Sequence, residues 1–294
     1  MRKADYLKLT ALFTLLTAFL LLVGFVVGYY LLGAPAVDVL IGMLVLSLAV
    51  NLVSYYYGPS MILRLTRARV LSPRDSPELF KIVEDLSTKA GIKRPVVAMV
   101  NETQPNAFTV SRSKGNSVIV VTSQLLSTMN PNELEAVIGH EISHIVHRDT
   151  TIATTAASLA TAVTYIVDLA IFSLLFGSSR RSMGATGLAA VILAPLAAGM
   201  VQLAISRNRE YYADDGSAEL TGRPDWLAGA LRKIELSIKR GPVPNVPQSS
   251  ASLWISNPFS GGLSELFSTH PKTSKRIQRL VQKAKANGLS VDAY

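Results

Sequence analysis

Gly139-His140-Glu141-Ile142-Ser143-His144 has the form H-E-x-x-H and lies in the middle of a helical pattern. At roughly 100° per residue, its two histidines stack one turn apart on one helix face. Two imidazoles so placed can share one Zn²⁺, and the glutamate flanks that face, within reach of a water beside the ion. Leu134, Ile138, Ile142 and Ile145 form the opposite, apolar side of the helix. Asn130-Pro131-Asn132-Glu133 marks its start, with a capping residue, a proline at the first helical position and a glutamate at the third. The chain has 4 histidines, so two of them at this spacing around a glutamate argues against an accidental match. A catalytic zinc needs a third protein ligand and one position open to water.

Ser206-Arg207-Asn208-Arg209-Glu210-Tyr211-Tyr212-Ala213-Asp214 offers that ligand. Glu210 and Asp214 are four residues apart and share a helix face. Glu210 is the candidate that completes a His₂Glu set with His140 and His144, one zinc per chain. Asp214 suits a supporting role, accepting the free N–H of a ligand histidine. The competing reading is a solvated acidic helix start, where carboxylates favour the dipole. His147 is the rival ligand, but on a straight helix it lies roughly 10 Å along the axis from His140, too far for one ion.

Composition sets the context. The 294 residues are 49% hydrophobic and only 17% charged, with no cysteine, and the mean hydropathy is +0.32. A membrane-anchored protein with a soluble part fits, and disulfides and thiolate metal sites are excluded. The net charge is +9, with many basic residues flanking apolar runs. That arrangement points to anionic lipid headgroups as partners. Nucleic acid is not expected, because no basic platform with interleaved aromatics and no recognition helix is visible.

Leu9–Leu32 follows a short basic start and is long enough to span a bilayer core of about 30 Å. Ala34-Pro35-Ala36 resembles a signal cleavage site, but the run exceeds an h-region of about 7–15 residues. Val39–Tyr57 is the second span and ends in Tyr55-Tyr56-Tyr57, followed by Arg64, Arg67, Arg69 and Arg74. Positive charge on the outer flanks, with none between, predicts both flanks in the cytoplasm. A helix opened by Ser76-Pro77-Glu78 and closed by Gly91 comes next. Short strands are predicted over Pro95–Val100, Ala107–Val110 and Val118–Thr122, with a turn at Lys114-Gly115-Asn116. Asn106-Ala107-Phe108 is either plain loop and edge strand or the edge on which an extended substrate pairs its backbone.

Two further apolar stretches follow the metal helix, 150–176 and 188–205, joined by a Gly/Ser loop with Arg180 and Arg181. Pro195 is expected to kink the second. Asp168 within the first reads as a residue near a membrane interface or as a functional intramembrane charge. If Glu210 meets His140 and His144, the two stretches leave and return on one side. They then form a hairpin, spanning or re-entrant. Helices are predicted over Asn208–Thr221, ending at Gly222, over Trp226–Lys239, and within the basic stretch Leu263–Gly288. The Pro/Ser/Gly-rich segment 241–262, with Trp254 and Phe259, reads as a candidate flap over a site. The expected fold is a mainly α membrane protein carrying an α+β metalloprotease domain with a small sheet. Residues 1–60 form two transmembrane helices, 61–149 the first protease part, 150–206 the hairpin and 207–294 the second protease part.

Three motifs in order, His140-Glu141-Ile142-Ser143-His144, Ser206-Arg207…Glu210-Tyr211-x-Ala213-Asp214 and Leu266-Phe267-Ser268-Thr269-His270-Pro271, resemble those of the HtpX-type membrane zinc metalloproteases. These are related to the CAAX prenyl endopeptidases, and the resemblance extends over the whole architecture. It implies a gluzincin-like endopeptidase in the cell membrane, multi-pass, with the active site and both termini facing the cytoplasm. The implied work is quality control of unfolded or damaged membrane proteins. By resemblance, His140, His144 and Glu210 bind zinc, Glu141 is the catalytic base, Asp214 supports the site, and Asn106-Ala107-Phe108 is the substrate-binding edge. His270 resembles a histidine that stabilises the oxyanion, and a helix cap at Thr269-His270-Pro271 is a nearly equal reading of the residues alone. The alternative function is a membrane scaffold with a structural metal. The presence of Glu141 argues against it, since a structural site needs no base.

Overall fold

The computed structural model describes residues 3–25, 29, 33–113, 115–176, 199, 206–259 and 270–290. Helices α1 (Lys3–Gly24) and α2 (Ala36–Leu65) are long and apolar enough to cross a bilayer. Along α2, Leu44, Val45, Leu48, Leu52 and Val53 stay exposed. A helix that leaves so much aliphatic surface uncovered is matched to hydrocarbon. Its buried side is small or polar instead: Ser47, Asn51, Ser54, Gly58 and Ile62. Asn51 Nδ2 donates to Thr17 Oγ1 of α1 at 3.1 Å. Gly58 lies against Ser158 of α6 (Thr150–Phe176), where any side chain on residue 58 would collide with the serine. Small and hydrogen-bonding side chains bring helices together where lipid offers no hydrophobic drive. The helix runs on to Leu65, past the expected end at Tyr57.

The sheet has four strands in the order β1-β2-β4-β3, comprising β1 (Arg69–Val70), β2 (Val96–Val100), β3 (Ala107–Ser113) and β4 (Asn116–Thr122). β2 and β4 are parallel, and the other pairs are antiparallel. Alternate residues divide between two cores, as a period of two requires. Ala98, Val100, Phe108, Val110 and Val120 join α1 and α6. Val97, Ala107, Ile119 and Val121 join a second core, built with Leu134, Val137 and Ile138 of the H-E-x-x-H helix. The sheet is therefore the partition between the membrane-type helices and the metal helix. β1 was not anticipated, because its two residues sit among arginines that read as a basic flank.

Beyond the sheet lie α3 (Pro77–Lys89), α4 (Ser123–Thr128), α5 (Pro131–His147), α7 (Asn208–Thr221), α8 (Pro224–Arg240) and α9 (Thr273–Ala286). α5 begins with the expected reciprocal cap, Asn130 Oδ1 accepting from Glu133 N at 2.9 Å and Glu133 Oε2 from Asn130 N at 3.0 Å. α7 ends at Gly222, whose φ of +71° suits glycine. From Glu133 to Ile145 every residue of α5 but the half-buried Glu135 is buried, so the face that carries His140 and His144 is covered as fully as the apolar one.

The described part of the candidate flap at 241–262 is packed in place. Gln248–Leu253 forms a 3₁₀ turn, and Trp254 and Ile255 are 2% and 1% exposed, packed into the two cores. Asp168 is exposed on α6. Arg180, Arg181 and Pro195 lie outside the described residues.

Candidate active site

α5 and α7 meet through two glycines. Gly139 packs on Ser217 and Gly216 on Ser143, where a methyl group at residue 216 would overlap the serine hydroxyl. Ser217 Oγ donates to the Ala136 carbonyl at 2.7 Å and fixes the contact. This close approach brings Glu210, in the first turn of α7, up to the histidines of α5. His140 Nε2 and His144 Nε2 are 3.1 Å apart. Glu210 Oε2 lies 3.5 Å from the first and Oε1 3.8 Å from the second. One ligand atom from each of the three residues falls within 4.8 Å of the others.

The residues fit a divalent cation. Both Glu210 oxygens are buried without a well-aligned hydrogen bond among the described residues, although a buried carboxylate left bare is costly. Each of the two histidines has a carboxylate on its other nitrogen. Asp214 Oδ1 is 3.1 Å from His140 Nδ1, and Asp149 Oδ2 is 3.0 Å from His144 Nδ1. Such partners set the tautomer and ring orientation for metal binding. Arg276 holds Asp214 in a fork, with Nε to Oδ2 at 2.9 Å and Nη2 to Oδ1 at 2.7 Å. Burial pushes the Glu210 pKa up, but His270 and Arg209 hold the carboxyl well below its ordinary range. It is therefore an anion ready to ligate.

Glu141 is buried beside this group and accepts a hydrogen bond from Thr109 Oγ1 of β3 at 2.6 Å. His270 Nδ1 is 3.5 Å from Glu210 Oε2. α9 is preceded by Lys272 as its cap, so the capping reading of His270 falls away. His147 turns from the group, with Nδ1 2.8 Å from the Ser143 carbonyl.

Two imidazoles and two carboxylates, those of Glu141 and Glu210, converge here on one helix pair. The model of the family described as peptidase family M48 matches residues 73–284, a span that contains every one of these groups. The chain belongs to peptidase family M48. Membership makes it a metallopeptidase, one whose α1 and α2 are long and apolar enough to cross a membrane. It is similar to the protease HtpX homologue of Pyrococcus abyssi, 46% identical over 283 residues covering 94% of each chain. The HtpX homologue of Pyrococcus furiosus is 44% identical over 284 residues, covering 94% of this chain and 96% of that one. The crystal structure of Ste24p from S. mikatae aligns with a TM-score of 0.47 at 22% identity, covering 94% of this chain and 65% of that one.

Asp149, Arg276 and Thr109 were not among the residues expected at the site of this M48 protein. Asp149 reaches His144 because Arg148 adopts a left-handed conformation, with φ of 62°, at the end of α5. A non-glycine residue there carries no advance sign. Arg276 is one cation in a basic helix. Its sign is its position on the face that holds Ile277, Leu280 and Ala284.

The electrostatics predict how the metal is taken up. Burial pulls the His140 pKa down, but Asp214 and Glu210 outweigh it and raise it to about 9. A divalent ion on His140 must displace that proton. Apparent metal affinity should therefore rise about tenfold per pH unit through the neutral range and level off once the histidine titrates. Chelator competition at a series of pH values, corrected for the chelator's own protons, checks this. An affinity flat between pH 6 and 8 would contradict it.

Proposed function

We propose that this M48 protein is a zinc-dependent endopeptidase that cuts unfolded or damaged membrane proteins on the cytoplasmic side of the cell membrane. His140, His144 and Glu210 are the zinc ligands. The observation that carries the reading is the buried Glu210 carboxylate, which has no well-aligned hydrogen bond among the described residues and faces two imidazole nitrogens with Glu141 beside them. Two nitrogens and a carboxylate oxygen with one open position suit catalytic zinc.

A bound divalent ion supplies Lewis acidity to the scissile carbonyl and acidifies the water next to it. Glu141 takes the proton from the attacking water and delivers it to the leaving amine. Thr109 holds the carboxylate of Glu141 in the orientation for both transfers. Asp214 and Asp149 keep His140 and His144 turned toward the ion. His270, buried next to Glu210, donates to the oxyanion as it forms. An extended peptide pairs with the β3 edge at Asn106, Ala107 and Phe108.

The neighbourhood of the site supports a membrane-proximal substrate and a multi-pass chain. Two residues separate the end of α5 from the start of α6, and α7 starts at the site again, so α6 departs from the point at which α7 begins. From its contact with Gly58, α6 continues for about 27 Å at 1.5 Å per residue, close to a bilayer core. Basic flanks outside the first two helices support a cytoplasmic site.

The protein purified in detergent with zinc should cut casein at internal bonds, lose the activity to a chelator, and regain it with zinc. Metal retained without any cleavage would favour the scaffold, and trimming only from the ends would favour an exopeptidase.

A further inference from the structure

The β3 edge that a peptide would use is taken by the chain itself. Ile255 N donates to the Ala107 carbonyl at 2.8 Å, and Phe108 and Trp254 form an antiparallel bridge. The Asn106 amide reads the next residue, with Nδ2 donating to the Ser256 carbonyl at 2.9 Å and Oδ1 3.5 Å from Ser256 N. These are main-chain contacts of the kind by which an extended peptide joins a sheet edge.

The segment also crosses the metal group. Arg276 Nη1 donates to the Ile255 carbonyl at 2.6 Å, and the same nitrogen is 3.6 Å from Glu210 Oε2. Arg209 Nη2 donates to the Ser252 carbonyl at 2.7 Å, while its Nε is 3.1 Å from Glu210 Oε1. Residues 252–256 thus lie between the sheet edge and the helix that carries Glu210, held by the two arginines that flank the ligand carboxylate.

We infer that Trp254-Ile255-Ser256 is a built-in pseudosubstrate that occupies the peptide-binding edge and must leave it before a substrate can bind. The inference rests on the protease reading above. The seat itself is imperfect. Ser252 Oγ and Ser256 Oγ are buried with no hydrogen-bond partner among the described residues, a defect that favours release. The side chain of Ile255 is 1% exposed in a pocket of aliphatic residues. The incoming peptide therefore brings an aliphatic side chain to that position, and an unfolded apolar segment is what displaces the resident one. An edge populated by its own chain lowers the apparent affinity for peptide by the fraction of time it is free.

Two experiments on the full-length, zinc-loaded protein test this. Ile255→Pro removes the N–H that bonds Ala107 and touches no group assigned to catalysis. Trp254 has φ −69° and ψ 150°, a conformation allowed before proline. KM for an internally quenched apolar peptide should fall about fivefold or more at unchanged kcat. An unchanged or raised KM in a folded, metal-loaded variant would overturn the inference. Hydrogen exchange on the Glu141→Gln protein covers the case in which proline disrupts folding. Saturating unlabelled peptide should strip protection from the amides of 254–256. Peptide bound with that protection intact would overturn the pseudosubstrate and leave the protease reading standing. Wild-type protein that neither binds nor cuts peptide would remove both.

Discussion

Glu141→Gln protein should retain its metal and cleave casein at least about a hundredfold more slowly than wild type, since a positioned general base contributes on the order of 10²–10⁴. The substitution is close to isosteric. Thr109 Oγ1 now donates to Glu141 Oε2 at 2.6 Å and can donate equally to an amide oxygen. Glu141 is 1% exposed and is not among the three clustered ligands, so the ligand set stays whole. Metal content by elemental analysis and cleavage rate by gel, on the same preparations, separate the two effects. Equal rates in both proteins would remove Glu141 from the chemistry. Loss of metal along with activity would make it a structural residue of the site.

How much of this arrangement could be read beforehand depends on whether the signal was local. The α5 cap, the α7 stop at Gly222 and the helix face shared by Glu210 and Asp214 are all written in residues within a few positions of one another. Neither β1 nor the role of segment 241–262 is. Two residues cannot display a strand period, and a Pro/Ser/Gly-rich segment reads as loop whether it covers a site or fills one. Burial around α5 was hidden for a related reason. Nothing near Ser143 in the sequence tells that Gly216 lets α7 close over it. Arg276 shows the limit most clearly. Nothing in a run of lysines and arginines distinguishes the cation that grips Asp214 from those that face water, except the apolar residues one turn away.

The same reasoning gives Glu210→Ala a larger structural effect than loss of a ligand alone. The carboxylate has Arg209 Nε at 3.1 Å, His140 Nε2 and His270 Nδ1 at 3.5 Å, and Arg276 Nη1 at 3.6 Å. Glu210 and Arg276 are each 1% exposed. Removing the anion leaves buried positive charge only partly compensated, by Asp214 on Arg276 and His140, so the cost approaches about 3–5 kcal/mol, that of deleting one partner of a buried pair. Metal binding should be lost as well, because two imidazoles no longer close the set. Comparing the variant with wild type stripped of metal isolates the charge effect from the ion's contribution. Glu210→Gln keeps the volume and loses the charge, and should fall with Ala rather than with wild type in both metal content and resistance to denaturant. If Glu210→Ala matched metal-stripped wild type in stability, the carboxylate would be a ligand only, and the two arginines would be held by Asp214 and the carbonyls of Ser252 and Ile255 without it.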